Sequence, residues 1–104
     1  MFFVSCRLLL SFYLFKFVIK VVEIDKDNFQ VFVKSKSNTN HYVFFSDEYL
    51  NKYKNQIRDK KQIVHDSFIF LLERESNNQI MKSFNIEIIK DYFSEYKNLF
   101  LQQT

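Results

Sequence analysis

Glycine, proline, alanine and tryptophan are absent from all 104 residues of this chain. Average usage would place about seven Gly and about five Pro in a chain of this length, so the gap is systematic. Phe (14 residues), Lys, Asn, Ile and Ser fill it, and their codons are AT-rich, which points to an AT-rich genome. The missing glycine also excludes chemistry. A backbone that cradles phosphate needs residues tolerant of positive φ and close approach, so neither a dinucleotide fingerprint nor a P-loop exists here. A nucleophile elbow is excluded on the same ground. Cys6 is the one cysteine, which rules out an intrachain disulfide and a cysteine-based zinc site and fits a reducing cytoplasm. The apolar fraction of 47% and charged fraction of 26% are those of a globular domain and argue against disorder.

Net charge is small once the ends are separated. The formal net charge is +3, but residues 1–17 carry Arg7 and Lys16 and no acid; beyond them 13 basic residues face 12 acidic ones. The leader itself is apolar at 17 of the first 22 positions. Its uncharged run, Leu8 to Phe15, is far short of the roughly 20 residues of a spanning helix, and each central cation costs about 2.5–3.5 kcal/mol in a bilayer. No small-residue cleavage site follows it. Residues 1–17 are therefore read as a start-site artefact or a weak membrane or signal segment, and residues 18–104 as a single small domain. Cytoplasmic location is expected, with membrane association through the leader as the alternative.

From Val18 the pattern is that of strands. Residues 18–24 and 29–34 are β-branched and aromatic, joined by the polar turn Asp25-Lys26-Asp27-Asn28, and Phe29, Val31 and Val33 alternate with Gln30, Phe32 and Lys34. A loop over 35–40 leads to a third run, 41–45. The period then changes. Ser46 caps a helix running to about Asn55, with Asp47 and Glu48 in its first turn and a Phe45–Leu50 staple. Ile57, Val64, Phe68, Leu71 and Leu72 share one face of a helix over 57–74. Ser76-Asn77-Asn78-Gln79 has the form of a capping box for a short helix to Met81 or Lys82, and Asn85 caps a last helix with Ile89, Tyr92, Phe93, Tyr96 and Phe100 as its stripe. Strands followed by helices indicate α+β: a three-stranded antiparallel meander followed by three to four helices packed on one face.

The second half carries a resemblance. Ser67-Phe68-Ile69-Phe70-Leu71-Leu72-Glu73-Arg74-Glu75-Ser76, then Ile80, Phe84, Asn85, Ile89 and Tyr92-Phe93-Ser94-Glu95-Tyr96, resemble a family of small uncharacterised bacterial proteins. Their shared core reads approximately F-x-F-L-L-E-R-E-P, I-L-x-x-F-D-L and Y-F-P-E-Y. This chain has Ser76 and Ser94 where those proteins carry Pro, and Asn85 where they carry Asp. The resemblance implies a fold class, a strand-rich first half and a start near Val18; it implies no activity.

Few residues suit chemistry. His41 and His65, even with Glu73, fall short of a fixed ligand set, so no metal or other cofactor is expected. Asp25–Asn28 looks like the start of a calcium loop, but the sixth-position Gly is absent and Phe29 sits where an oxygen ligand should be, so it reads as a hairpin turn. No serine has a positioned base, and an enzyme is not expected. Two surfaces remain. Tyr49, Lys52, Tyr53, Lys54, Arg58, Lys60 and Lys61 interleave cations with aromatics, which suits single-stranded nucleic acid. Glu73, Arg74 and Glu75, together with Tyr92, form either a helix junction or a partner-binding site. The reading favoured here is a non-catalytic domain that binds another macromolecule, most simply a protein, through an aromatic and charged surface around Tyr49, Tyr53, Glu73–Glu75 and Tyr92. The alternative is a nucleic-acid-binding accessory using the cluster from Lys52 to Lys61.

Overall fold

Alternation of apolar and polar residues dictates the first half of the fold. In a computed structural model, which describes residues 17–54 and 59–102, strands β1 (Val18–Glu23), β2 (Asn28–Lys34) and β3 (Asn38–Phe44) pair antiparallel in sequence order. The register sets Val21 opposite Val31 and Val31 opposite His41, so one face of the sheet carries Val21, Phe29, Val31, Val33, His41 and Val43, all buried. Each such Val or Phe contributes about 1.5–3 kcal/mol on burial. The other face carries Lys20, Phe32, Lys34, Asn40, Tyr42 and Phe44, all exposed.

The meander is right and incomplete. A fourth strand, β4 (Ser83–Asn85), lies beside β3 and parallel to it, giving a mixed sheet of order β1-β2-β3-β4. Three residues are too short to show a period, and Phe84-Asn85 read instead as a helix start. The Tyr42 N–H donates to the Lys82 carbonyl oxygen at 2.7 Å and anchors the new strand. β3 also begins at Asn38, not His41: Asn38 and Asn40 are weak strand formers on either side of Thr39, but pairing with Lys34 and Phe32 holds them in the ladder.

With no glycine, turns use side chains. The Asp25 carboxylate accepts from the backbone N–H groups of Asp27 (2.9 Å) and Asn28 (3.0 Å), and these hydrogen bonds hold its pKa below the usual carboxylate value. No described residue has positive φ.

The helices cover the buried face and are shorter than their patterns suggest. Ser46 caps α1 (Asp47–Leu50) by accepting from the Tyr49 N–H at 3.1 Å; irregular turns come next and bring Tyr53 into a bridge with Leu101. Asp59 caps α2 (Lys60–Leu72) by accepting from the Gln62 N–H at 2.8 Å; Ile57 and Arg58 lie outside the described residues. Ile63, Val64, Phe68, Phe70 and Leu71 of α2 are buried. At Ser76 the Gln79 side chain reaches back to the Ser76 N–H at 3.2 Å, but only one 3-10 turn (Asn77–Gln79) forms before the chain extends into β4. Asn85 does cap the turn after β4, accepting from the Glu87 N–H at 3.0 Å. The expected single last helix is divided into a 3-10 turn (Ile86–Ile88), α3 (Ile89–Tyr92) and α4 (Glu95–Phe100), because Phe93 is extended at φ −132°, ψ 95°. Its ring turns inward onto Phe70.

Candidate functional site

The turn after α2 places two of the candidate partner-binding residues in one cavity. Glu75 lies just beyond the last turn of α2, and Tyr92 ends α3. Between them lies a cavity of about 190 Å³ whose apolar wall includes Leu71, Ile80, Phe84 and Ile89, with Met81 exposed at its rim. Tyr92 is 69% exposed, far more than a ring of its size retains when packing decides its position. The Glu75 carboxylate has no hydrogen-bond or ion-pair partner among the described residues, and burial pushes its pKa above the ordinary glutamate value. A half-buried, unpaired carboxylate on an apolar wall is unfavourable for the free protein. It suits a ligand with an apolar body and a cationic or N–H-rich head.

Glu73 and Arg74 do a different job. The Arg74 Nε donates to Glu95 Oε1 at 2.6 Å, and Nη1 donates to the Phe70 carbonyl oxygen at 2.8 Å and to Glu73 Oε1 at 3.3 Å. Its guanidinium lies 3.6 Å from the centre of the Phe70 ring. Arg74 therefore fastens the end of α2 to α4, and its hydrogen bond holds the Glu95 pKa below the usual value. With Arg74 engaged by Glu73 and Glu95, Glu75 is left without its neighbour's charge.

The basic cluster is dispersed by the fold. Tyr49 and Tyr53 are buried, so the surface expected around them is instead part of the core. Tyr49 packs on Phe45 and Tyr53, and its hydroxyl has no hydrogen-bond partner among the described residues. Burial, with Glu87 and Asp91 nearby, pushes that phenol up to about 12. The Tyr53 and Tyr96 hydroxyls share a hydrogen bond of 2.8 Å, and Tyr96 shares another of 2.7 Å with Ser67. Lys60 is buried against Phe45, with Nζ donating to Asp27 Oδ1 at 3.0 Å and to the Lys26 carbonyl oxygen at 2.8 Å, and paired with Asp47 at 2.5 Å. Burial pulls its pKa down, and the two carboxylates outweigh that and leave it raised. Lys54 donates to the Asn98 carbonyl oxygen. Lys52 and Lys61 are exposed, and Arg58 lies outside the described residues. Sequence spacing could not show this, because Asp27 and Asp47 meet Lys60 only through tertiary packing.

The histidines separate as well. His41 is fully buried against Phe68, with ring centres 5.3 Å apart. Nδ1 lies 2.8 Å from the Met81 carbonyl oxygen and therefore carries the proton; Nε2, 2.8 Å from Thr39 Oγ1, accepts from that hydroxyl. Desolvation holds its pKa below the ordinary value. Among the described residues no group of three His, Cys, Asp or Glu side chains is placed to hold a metal ion.

No family model matches the chain. Neither a curated protein nor a solved structure matches it. Among the described residues, no helix is long and apolar enough to cross a membrane; residues 1–16 of the 1–17 leader lie outside them.

Proposed function

We propose that this chain is a non-catalytic protein-interaction domain whose recognition element is the cavity between Glu75 and Tyr92. The partner is a protein segment that sets an apolar side chain against Leu71, Ile80 and Ile89 and a basic one against Glu75. The observation that carries this reading is the unpaired Glu75 carboxylate on an apolar wall beside an exposed Tyr92. A half-buried charge with no partner among the described residues weakens the fold that holds it, and pairing with a cation from a ligand relieves that cost. Tyr and Arg-type contacts at the centre of an apolar patch carry most interface energy. Cytoplasmic residence belongs to the same proposal and rests on the single cysteine.

Kinship with the small bacterial proteins of the F-x-F-L-L-E-R-E-P pattern is part of the proposal too. Ser76 and Ser94 support it: their φ angles are −73° and −59°, within the range to which a proline ring locks φ.

Selection of random peptides on the full chain tests the reading. Enriched peptides are expected to pair a Lys or Arg with a neighbouring bulky apolar residue. Their affinity is expected to fall about tenfold in Glu75→Gln and further in Tyr92→Ala, as measured by calorimetry. Glu75→Gln should at the same time raise the thermal midpoint at neutral pH. Its folded pKa lies above its unfolded one, so its penalty is absent below the unfolded value and full above the folded one. Peptides whose affinity ignores Glu75→Gln would sink the proposal.

A further inference from the structure

Among the described residues no helix covers the second face of the sheet, and its composition is specific. Three aromatic rings stand on it: Phe32 on β2 is 37% exposed, and Tyr42 and Phe44 on β3 are 47% and 41% exposed. Phe32 pairs with Asn40, which makes Tyr42 its diagonal neighbour on the adjacent strand, about 7–8 Å away. Phe44 lies two residues further along the same strand, about 6.8 Å on. The rings thus form a stepped row across two central strands. Tyr42 is held in place by the Gln30 amide, whose Nε2 donates to its hydroxyl at 3.1 Å.

Charge on this face has one sign. Lys20 lies directly opposite Phe32 on β1, and Lys34 is two residues from it on β2. Both are exposed, and among the described strand residues no Asp or Glu projects from this side. The Asp25 carboxylate, in the turn beyond the Phe44 end, is tied to Asn28 and two backbone N–H groups. A second copy of the chain seated here would bring like charges together. A polyanion with flat apolar faces would find cations and stacking surfaces at once.

We propose that the outward face of this sheet binds single-stranded nucleic acid, with bases stacked on Phe32, Tyr42 and Phe44 and phosphates held by Lys20 and Lys34. Sequence-tolerant stacking on a row of rings, beside a basic track, is the physical basis of single-strand recognition, and an open sheet is a proven platform for it. The site lies on the opposite side of the sheet from the Glu75–Tyr92 cavity and stands independently of it.

Fluorescence anisotropy of the full chain with labelled single-stranded oligouridine and oligothymidine, at low salt, tests this. Binding is expected, with a duplex of equal length much weaker. Phe32→Ala and Phe44→Ala should each lower affinity about tenfold. Lys20→Gln with Lys34→Gln should flatten the salt dependence by about 1.4 in log–log slope, two phosphates' worth. Circular dichroism of each variant separates lost binding from lost fold, and the two lysine changes are on the exposed side and leave the core intact. Glu75→Gln and Tyr92→Ala are expected to leave this binding unchanged. Absence of binding, duplex bound as tightly as single strand, preference for anionic vesicles over oligonucleotide, or self-association removed by Phe32→Ala would each overturn the proposal.

Discussion

Tyr49 shows how one atom limits a well-packed site. Its ring packs edge-on against Phe45 and Tyr53, but its hydroxyl is buried without a hydrogen-bond partner among the described residues. An unsatisfied buried polar atom costs about 1–3 kcal/mol, and removing it costs nothing in packing. Tyr49→Phe is therefore expected to raise stability by about 1 kcal/mol, read as a higher urea midpoint with an unchanged slope. An unchanged or lower midpoint would mean the hydroxyl is satisfied. The same residue marks a limit of sequence reading. Tyr49 and Tyr53 sit among lysines, so their neighbours suggested a surface. Only the fold reveals that α1 directs the Tyr49 ring inward and the turns after it the Tyr53 ring, while Lys60 turns towards Asp27 and Asp47. By contrast, Glu75 and Tyr92 were legible as candidates. Their types stand out near helix ends, although nothing in the spacing showed that they face one cavity or that Arg74 turns away from it.

Elements were legible where side chains specify their own ends. Ser46, Ser76 and Asn85 each mark a start because a short polar side chain or its box partner satisfies backbone N–H groups locally. Stops were not legible, since a chain without glycine or proline carries no punctuation for them. Hence the expected last helix ran straight through Phe93, where the backbone is extended and α4 begins anew. β4 went unseen for the related reason that three residues carry no period and a parallel partner is supplied from a distance. The break yields a prediction. Ser94 has φ −59°, its side chain makes no capping hydrogen bond, and the preceding Phe93 is extended, outside the α region that a following proline disfavours. Ser94→Pro is expected to stabilise the protein by about 0.4–1 kcal/mol by restricting the unfolded chain. Thermal unfolding of the variant would show a raised midpoint; a fall would mean the break is not rigid at that residue.

The whole molecule is joined across the sheet by His41, whose ring links β3 to the segment entering β4 through the Met81 carbonyl oxygen. Thr39 completes the arrangement, accepting from the Asn77 amide at 3.0 Å while its hydroxyl donates to His41. Burial, with the Lys82 charge nearby, favours the neutral ring. Its folded pKa is below the unfolded value near 6.5, so the unfolded chain binds the extra proton first. Stability is then full above about pH 6.5 and is lost as pH falls from there towards the folded pKa. Glu75 has the opposite sign, at lower pH. Urea titrations at about pH 7.5 and about pH 5.5 are expected to show this loss in the parent chain and not in His41→Gln. An equal loss in both would assign it to other groups.

The parallel pairing of β4 has a consequence for synthesis of the chain. Met81 comes 40 residues after His41, and the Lys82 carbonyl that anchors Tyr42 comes one residue later. At translation rates of about 5–20 residues per second, the meander is out of the ribosome roughly 2–8 s before its β3 edge is covered. During that interval the nascent sheet holds a bare β3 edge and an unsatisfied imidazole, and its aromatic outward face is already complete. That face is therefore presented before the Glu75–Tyr92 cavity exists.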